Sequence, residues 1–208
     1  ALAAAGIPAI DQRPALSGPP AAFFKTDTHW TPEGATLAAR AVAASGLIPG
    51  GEVRFTTLPL PIRGHSGDLI AFVTTPALAP SIGLPDEPLT ATRLDMVGTS
   101  DIFATSAADI VLIGTSYSAN PAWNFAGALR QHLQRDLSNH AEDGLGPIVP
   151  MLKYLQSEEF KNSPPQLVIW EFPERYLPMA NDLEGFDPAW IATLKSSNKQ
   201  RLASSHSH

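Results

Sequence analysis

The 208-residue chain contains no cysteine, which removes disulfides, thiolate metal sites and a thiol nucleophile from the account. It also lacks any stretch near the roughly 18 apolar residues of a membrane-spanning helix. The opening ALAAAGIPAI has no basic segment leading into a long apolar core, so it does not read as a signal peptide. The first residue is not Met, and Ala1 reads as an internal position of a longer precursor or as an artificial boundary. Basic runs are absent as well. Fourteen Lys+Arg stand against twenty Asp+Glu, a formal charge of −6, which argues against a nucleic-acid partner.

What is present is apolar and turn-rich. With 44% hydrophobic residues at this length, one or at most two domains can bury a substantial core. Twenty prolines and fifteen glycines are dispersed among apolar runs, so they mark many turns and not a collagen-like or disordered chain.

Leu2 to Gly6 reads as a helix end closed by Gly6, followed by a short strand over Ile7–Ile10. Residues 13–24 read as a loop. Thr31-Pro32-Glu33-Gly34 opens a helix by its cap and its first-position proline, and Gly46 stops it. Residues 52–75 suggest short strands or an extended ribbon, and 76–92 a loop. Ala108 to Gly114 is a buried strand feeding a Thr-Ser turn. Asn120-Pro121 is expected to start a helix running to Leu137, and Met151–Phe160 another. Gln166–Glu171 forms a second buried strand, halted by Pro173. The end, from Ser196, is polar and expected to fray. Alternating helices and strands predict a three-layer α/β domain with a mostly parallel central sheet, spanning residues 1–190 with a polar tail over 191–208.

Two clusters carry chemistry. In Lys25-Thr-Asp27-Thr-His29-Trp30, an extended backbone puts positions 27 and 29 on one side. A carboxylate there can hold one imidazole nitrogen and leave the other free as a base. The competing reading is structural, with Asp27 making a turn and His29 buried beside Trp30. In Gly114-Thr115-Ser116-Tyr117-Ser118, the serine is presented at the carboxyl edge of the sheet, where open α/β folds bind ligands. The backbone N–H groups after it, beginning with Tyr117, are candidate oxyanion donors. It is not a G-x-S-x-G elbow, since Ser118 replaces the second glycine, and a plain strand-to-helix loop with capping hydroxyls is the alternative.

The segments KTDTHWTPEGA, GTSYS with NPAWNFAGAL after it, and WEFPERYL resemble the alginate O-acetyltransferase family, AlgJ and AlgX type, over residues 1–178. The resemblance implies an SGNH-hydrolase-like catalytic domain, circularly permuted so that the Asp-x-His pair precedes the serine. It makes Ser116 the nucleophile, His29 its general base and Asp27 the residue that orients His29. It implies transfer of an acetyl group through an acyl-serine onto hydroxyls of an exported polysaccharide, alginate or similar, with no cofactor and no metal. It further implies a periplasmic, inner-membrane-associated setting and a membrane-bound acyltransferase that supplies acetyl groups. Family members carry a signal or anchor and a first strand upstream, and the AlgX type a C-terminal carbohydrate-binding module. None is recognisable in this sequence, which is expected to be a fragment lacking its N-terminal anchor and first strand. A carbohydrate acetyl-esterase using the same triad, and a non-catalytic polysaccharide-binding subunit of an export complex, are the rival readings.

Several further residues lie near these motifs. Arg175 and Tyr176 follow the second strand, so either reaches the same sheet edge as an oxyanion or sugar-carboxylate donor. The structural alternatives are an ion pair of Arg175 with Glu171 or Glu174 and a packing role for Tyr176. Gly67, in the polar turn His65-Ser-Gly-Asp68, is a candidate to bring a backbone N–H near the site. His65 reads as a free surface histidine, because no ligand spacing supports a metal site with Asp27 and His29. Trp30 and Trp123 read either as sugar-stacking rings or as packing beneath the motif loops. His206 and His208 read as incidental surface residues.

Overall fold

In the computed structural model, residues 2, 6–97, 109–180 and 183–204 are described. The chain divides into two compact units, Ile10–Pro178 on one hand, and Ala1–Ala9 with Met179–His208 on the other. The helices are α1 (Arg13–Leu16), α2 (Pro32–Ala44), α3 (Ser116–Ala119), α4 (Phe125–Leu133), α5 (Ile148–Gln156), α6 (Glu158–Asn162) and α7 (Pro188–Ser204). The strands are β1 (Phe55–Pro59), β2 (Arg63–His65), β3 (Glu87–Leu89), β4 (Thr92–Met96), β5 (Ile110–Ile113), β6 (Ser138–Asn139) and β7 (Leu167–Trp170).

The larger unit is organised around β5, whose four residues Ile-Val-Leu-Ile are all buried. It lies between β6 and β7, parallel to both, and each connection to a neighbour carries helices, as parallel pairing requires. Side chains alternate between the two faces of β5. Ile110 and Leu112 join a cluster with Ala35, Ala38, Ala39 and Val42 of α2 and Leu129 and Leu133 of α4. Val111 and Ile113 face the other way, onto Tyr154, Met151 and Phe160. Burying each large aliphatic side chain contributes about 1.5–3 kcal/mol, so this short strand anchors the unit out of proportion to its length.

Helix α2 forms where the sequence places it. Thr31 Oγ1 accepts from the Gly34 N–H at 3.0 Å, Pro32 takes the first helical position, and the buried alanines and Val42 recur at helical spacing on one face. Among the described residues, parallel pairing is confined to the sheet of β6, β5 and β7. The pairs β1–β4 and β2–β3 are antiparallel.

Elsewhere the structure differs from the sequence reading. Ile7–Ile10 is not a strand, and residues 13–16, expected in a loop, form α1. The expected loop over 76–92 contains a 3-10 turn at Ala79–Ile82 and strand β3, while Asp68–Phe72 is 3-10 and not extended. The helix expected from Asn120 begins only at Phe125. Asn120 Oδ1 instead accepts from the Ala122 N–H at 2.9 Å, and Asn124 adopts a left-handed φ of 50°, which separates α3 from α4. The helix expected over 151–160 is divided by extended Ser157, whose Oγ accepts from the Phe160 N–H at 3.1 Å and caps α6.

In the smaller unit, the segment expected to fray is helical to Ser204, with Pro188 at its start and Asp187 Oδ1 accepting from the Ala189 N–H at 2.8 Å. Phe186 and Trp190 stack there at 6.2 Å. The helix end expected over Leu2–Gly6, the first residue of the Ala108–Gly114 strand, and His206 and His208 lie wholly or partly outside the described residues. Among the described residues no helix is long and apolar enough to cross a membrane.

Candidate active site

The segment carrying Asp27 and His29 is a bent tip held on all sides. Its stem is closed by the Thr31 N–H donating to Ala22 O at 2.8 Å and the Phe24 N–H to His29 O at 3.3 Å. The Glu87 carboxylate of β3 accepts from the backbone N–H groups of Lys25 and Thr26 and from Thr26 Oγ1, at 2.6–3.0 Å. The Asp68 carboxylate accepts from Thr28 N–H at 2.8 Å and Thr28 Oγ1 at 2.6 Å. Gly67 approaches so closely that a Cβ there would lie 1.9 Å from Thr26 O. A turn therefore replaces the expected extended backbone. Asp27 Oδ1 accepts both the His29 backbone N–H at 2.8 Å and its Nδ1 at 2.6 Å. The turn-making and imidazole-orienting readings of Asp27 describe one geometry.

The serine turn leaves the carboxyl end of β5. Thr115 caps α3 and Ser116 is its first residue. Glu171, just past β7, accepts from the Thr115 N–H at 3.0 Å and from Ser118 Oγ at 2.8 Å. A Cβ on Gly114 would fall 2.5 Å from Glu171 Oε2, so glycine is needed there for this approach and not for a left-handed turn.

The two segments meet at His29. Its Nε2 lies 2.7 Å from Ser116 Oγ, so Asp27, His29 and Ser116 form one chain of hydrogen bonds, the arrangement needed to draw a proton from a serine hydroxyl. Ser116 is only 8% and Asp27 only 6% exposed, while the His29 side chain between them is 15% exposed. Trp123 stacks on the His29 ring at 5.3 Å. Trp30 donates its indole N–H to Tyr117 O at 3.1 Å. Both tryptophans are buried, so they pack beneath the loops.

Burial pushes the Asp27 carboxyl up, yet the hydrogen bonds from the His29 backbone, His29 ring and His65 ring together hold it below its ordinary value. Glu171 goes the other way, because burial dominates its hydrogen bonds with Thr115 and Ser118 and raises it. Burial likewise raises the Tyr117 phenol, against the opposing pull of Arg175.

The other expected site residues take these places. Tyr117 donates its hydroxyl to Thr28 O and accepts from Arg175 Nη1 at 3.1 Å, which joins the two motif loops through their side chains. The Arg175 guanidinium also lies over the rings of Tyr117 and Tyr176, at 5.4 and 5.3 Å. Tyr176 packs towards Gly146. Gly67 sits against the Thr26 backbone. His65 is not a free surface residue: its Nε2 lies 2.7 Å from Asp27 Oδ2. The roles of His65, Asp68, Glu87 and Glu171 around the motifs escaped the sequence reading. Of these, Glu171 lies in the buried-strand segment 166–171 and His65 and Asp68 in the polar turn His65-Ser-Gly-Asp68. Ligand atoms of Asp27, His29 and Asp68 lie within 4.8 Å of one another, but each already has a protein hydrogen-bond partner, which accounts for the cluster.

The family model described as the SGNH hydrolase-like domain of acetyltransferase AlgX matches residues 1–174. A Pseudomonas putida protein named "Probable alginate O-acetylase AlgJ" is 50% identical over 186 residues, covering 85% of this chain and 48% of its own length. The alginate biosynthesis protein AlgX of Pseudomonas aeruginosa is 35% identical over 160 residues, covering 74% of this chain and 34% of its own. The chain thus spans about half the length, or less, of these curated relatives. Among solved structures, the O-acetyltransferase domain of Pseudomonas putida AlgJ superposes with a TM-score of 0.81 at 45% identity, over 94% of this chain and 69% of that one. Sequence and fold agree over nearly the whole chain, which belongs to the AlgX-type family of SGNH hydrolase-like acetyltransferase domains.

Proposed function

We propose that this chain is the catalytic domain of a polysaccharide O-acetyltransferase that works through an acetyl-serine at Ser116. The observation that carries the reading is the continuous hydrogen-bonded path from Asp27 through His29 to Ser116, at 2.6 and 2.7 Å. In the first half-reaction, Ser116 Oγ attacks the carbonyl carbon of an acetyl donor while His29 Nε2 takes the hydroxyl proton. The tetrahedral adduct collapses, the donor's leaving group departs with that proton, and acetyl remains on Ser116. In the second, a sugar hydroxyl gives its proton to His29 Nε2 and attacks the acetyl carbon. Ser116 then leaves and recovers the proton. Asp27 holds the ring in orientation and stabilises the imidazolium formed in each half.

The acceptor we infer is a hydroxyl of an exported polysaccharide, alginate or a similar polymer, in the periplasm. The names of the AlgJ and AlgX relatives support this. Acetyl groups would come from a membrane-bound acyltransferase partner. The fold we envisage around the site is the three-layer α/β sandwich of the SGNH type, for which the apolar clusters on both faces of β5 speak. The Tyr117 backbone N–H, next to Ser116, is the proposed oxyanion donor; it would exchange its long 3.4 Å bond to the capping Thr115 Oγ1 for the oxyanion. Arg175 and Tyr176 are proposed to face the acceptor sugar from the same sheet edge, and Gly67 to set the position of the His29 tip.

The test is hydrolysis of 4-nitrophenyl acetate by the chain and by Ser116→Ala, with mass spectrometry for acetyl on Ser116. Turnover and acylation are expected, with a loss of about 10³-fold or more on substitution. Adding alginate oligosaccharides should then divert acetyl from water to sugar. Turnover without diversion would identify an esterase. A folded chain that shows neither turnover nor acylation would overturn the catalytic reading in favour of a binding subunit.

A further inference from the structure

Asp27 serves two histidines. Its Oδ1 is taken by His29, and its Oδ2 accepts from His65 Nε2 at 2.7 Å and from the Asp68 N–H at 3.3 Å. His65 ends β2, directly opposite Glu87 of β3. Its side chain is only 17% exposed. The ring rests against Phe24 at 4.6 Å and edge-on to Trp123 at 5.5 Å, and Trp123 in turn stacks on His29. The β2–β3 hairpin thus delivers one rigid imidazole to the far oxygen of the carboxylate that orients the other.

We propose that His65 is a positioning residue for the acyl transfer: by anchoring Asp27 Oδ2 it prevents the carboxylate from turning and keeps Oδ1 on His29 Nδ1. This rests on the catalytic reading of His29 and Ser116 given above. Without His65, Oδ2 would keep only the long 3.3 Å bond from the Asp68 N–H, and a carboxylate so weakly held on one oxygen can turn about its last torsion. With both oxygens bonded, the orientation of His29 is fixed from behind. The charged groups facing His65 are Asp27, Glu87 across the ladder and Asp68 beyond Asp27, with Asp86 beside its neighbour Gly64. All are acidic, so His65 supplies the one side-chain N–H among them, and its 2.7 Å bond to Oδ2 is much shorter than the 3.3 Å bond from the Asp68 backbone.

Removing that N–H leaves more negative charge on the oxygen facing His29. A protonated His29 ring is then favoured, and the base form needed for attack appears only at higher pH. The experiment is the pH profile of kcat/KM for 4-nitrophenyl acetate with wild type, His65→Phe and His65→Gln, and Ser116→Ala as the reference for the catalytic reading. His65→Phe is expected to lower kcat/KM about tenfold and to move the acid limb up by about half a pH unit. His65→Gln, whose amide N–H reaches the same oxygen, should restore most of both.

A folded His65→Phe protein with the wild-type limb, or a Gln variant as damaged as Phe, would overturn the proposal. A second measurement covers a variant that does not fold, or a wild type without turnover. In ¹⁵N-histidine-labelled wild type, the His65 Nε2–H signal, assigned by its loss in His65→Gln, should exchange slowly and change in Asp27→Asn. Rapid exchange would refute the anchoring even if the catalytic reading had failed separately.

Discussion

The buried Glu171 carboxylate accepts a 3.0 Å hydrogen bond from the backbone N–H of Thr115, the residue that caps the short helix carrying Ser116. One acidic side chain from the end of β7 thereby fixes the turn leaving β5. Burial raises this carboxyl above its ordinary value of 4.5. Between that value and the raised one, the folded protein binds more protons than the unfolded chain, so stability declines as pH rises through the window. Glu171→Gln removes this slope. Urea denaturation from pH 4 upwards should show wild type losing ground to the variant as pH increases, and parallel curves would refute the assignment.

Asp27 carries the opposite sign. Its carboxyl is held below the ordinary value of 3.8, so it adds stability that is present above that value and disappears as pH falls through the depressed one. Thermal denaturation should therefore find wild type losing more stability than Asp27→Asn on acidification below about pH 4. At neutral pH the same variant should lose about 10³-fold or more in ester hydrolysis, because the amide favours the wrong imidazole tautomer.

Gly67→Ala tests the close approach of the two loops. The added Cβ meets Thr26 O at 1.9 Å, so backbone must move. A cost of about 1–3 kcal/mol is expected, together with a fall in kcat as the Asp27–His29 tip is displaced. Differential scanning fluorimetry and esterase assays read both. Unchanged values would mean that the turn yields without disturbing the site.

Tyr117→Phe removes the hydroxyl between Thr28 O and Arg175. Losing these bonds should cost about 1–2 kcal/mol in stability. If Arg175 faces the acceptor sugar, KM for oligosaccharide should rise more than KM for 4-nitrophenyl acetate. Equal changes would confine the pair to holding the loops together.

Much of this site was legible locally. The apolar run of β5, the Thr31-Pro32 helix start and the one-residue spacing of Asp27 and His29 are short-range signals; the strand and the helix stand where the sequence puts them, and Asp27 meets His29 as expected, though on a turn and not an extended backbone. What the sequence hid depends on distant partners. His65 looked like a surface residue because its bond to Asp27 spans 38 positions and its strand is three residues long, too short for any alternation to show. Asn120-Pro121 carries every mark of a helix start, but the Asn120 side chain satisfies the Ala122 N–H within its own turn and the helix waits for Phe125. The C-terminal segment lacks an apolar face, so its helix left no periodic trace.

The bond between His29 and Ser116 closes a loop of 87 residues. Before that closure, whose entropy cost the rest of the fold must offset, Ser116 has an ordinary hydroxyl with no base beside it. On the proposed reading, the activation of Ser116 is a product of the fold and not of the local sequence. If Ser116 is the nucleophile proposed above, an activated acetyl ester added during refolding should label only molecules in which the His29–Ser116 contact has formed, so acetylation would double as a clock for the arrival of the native state.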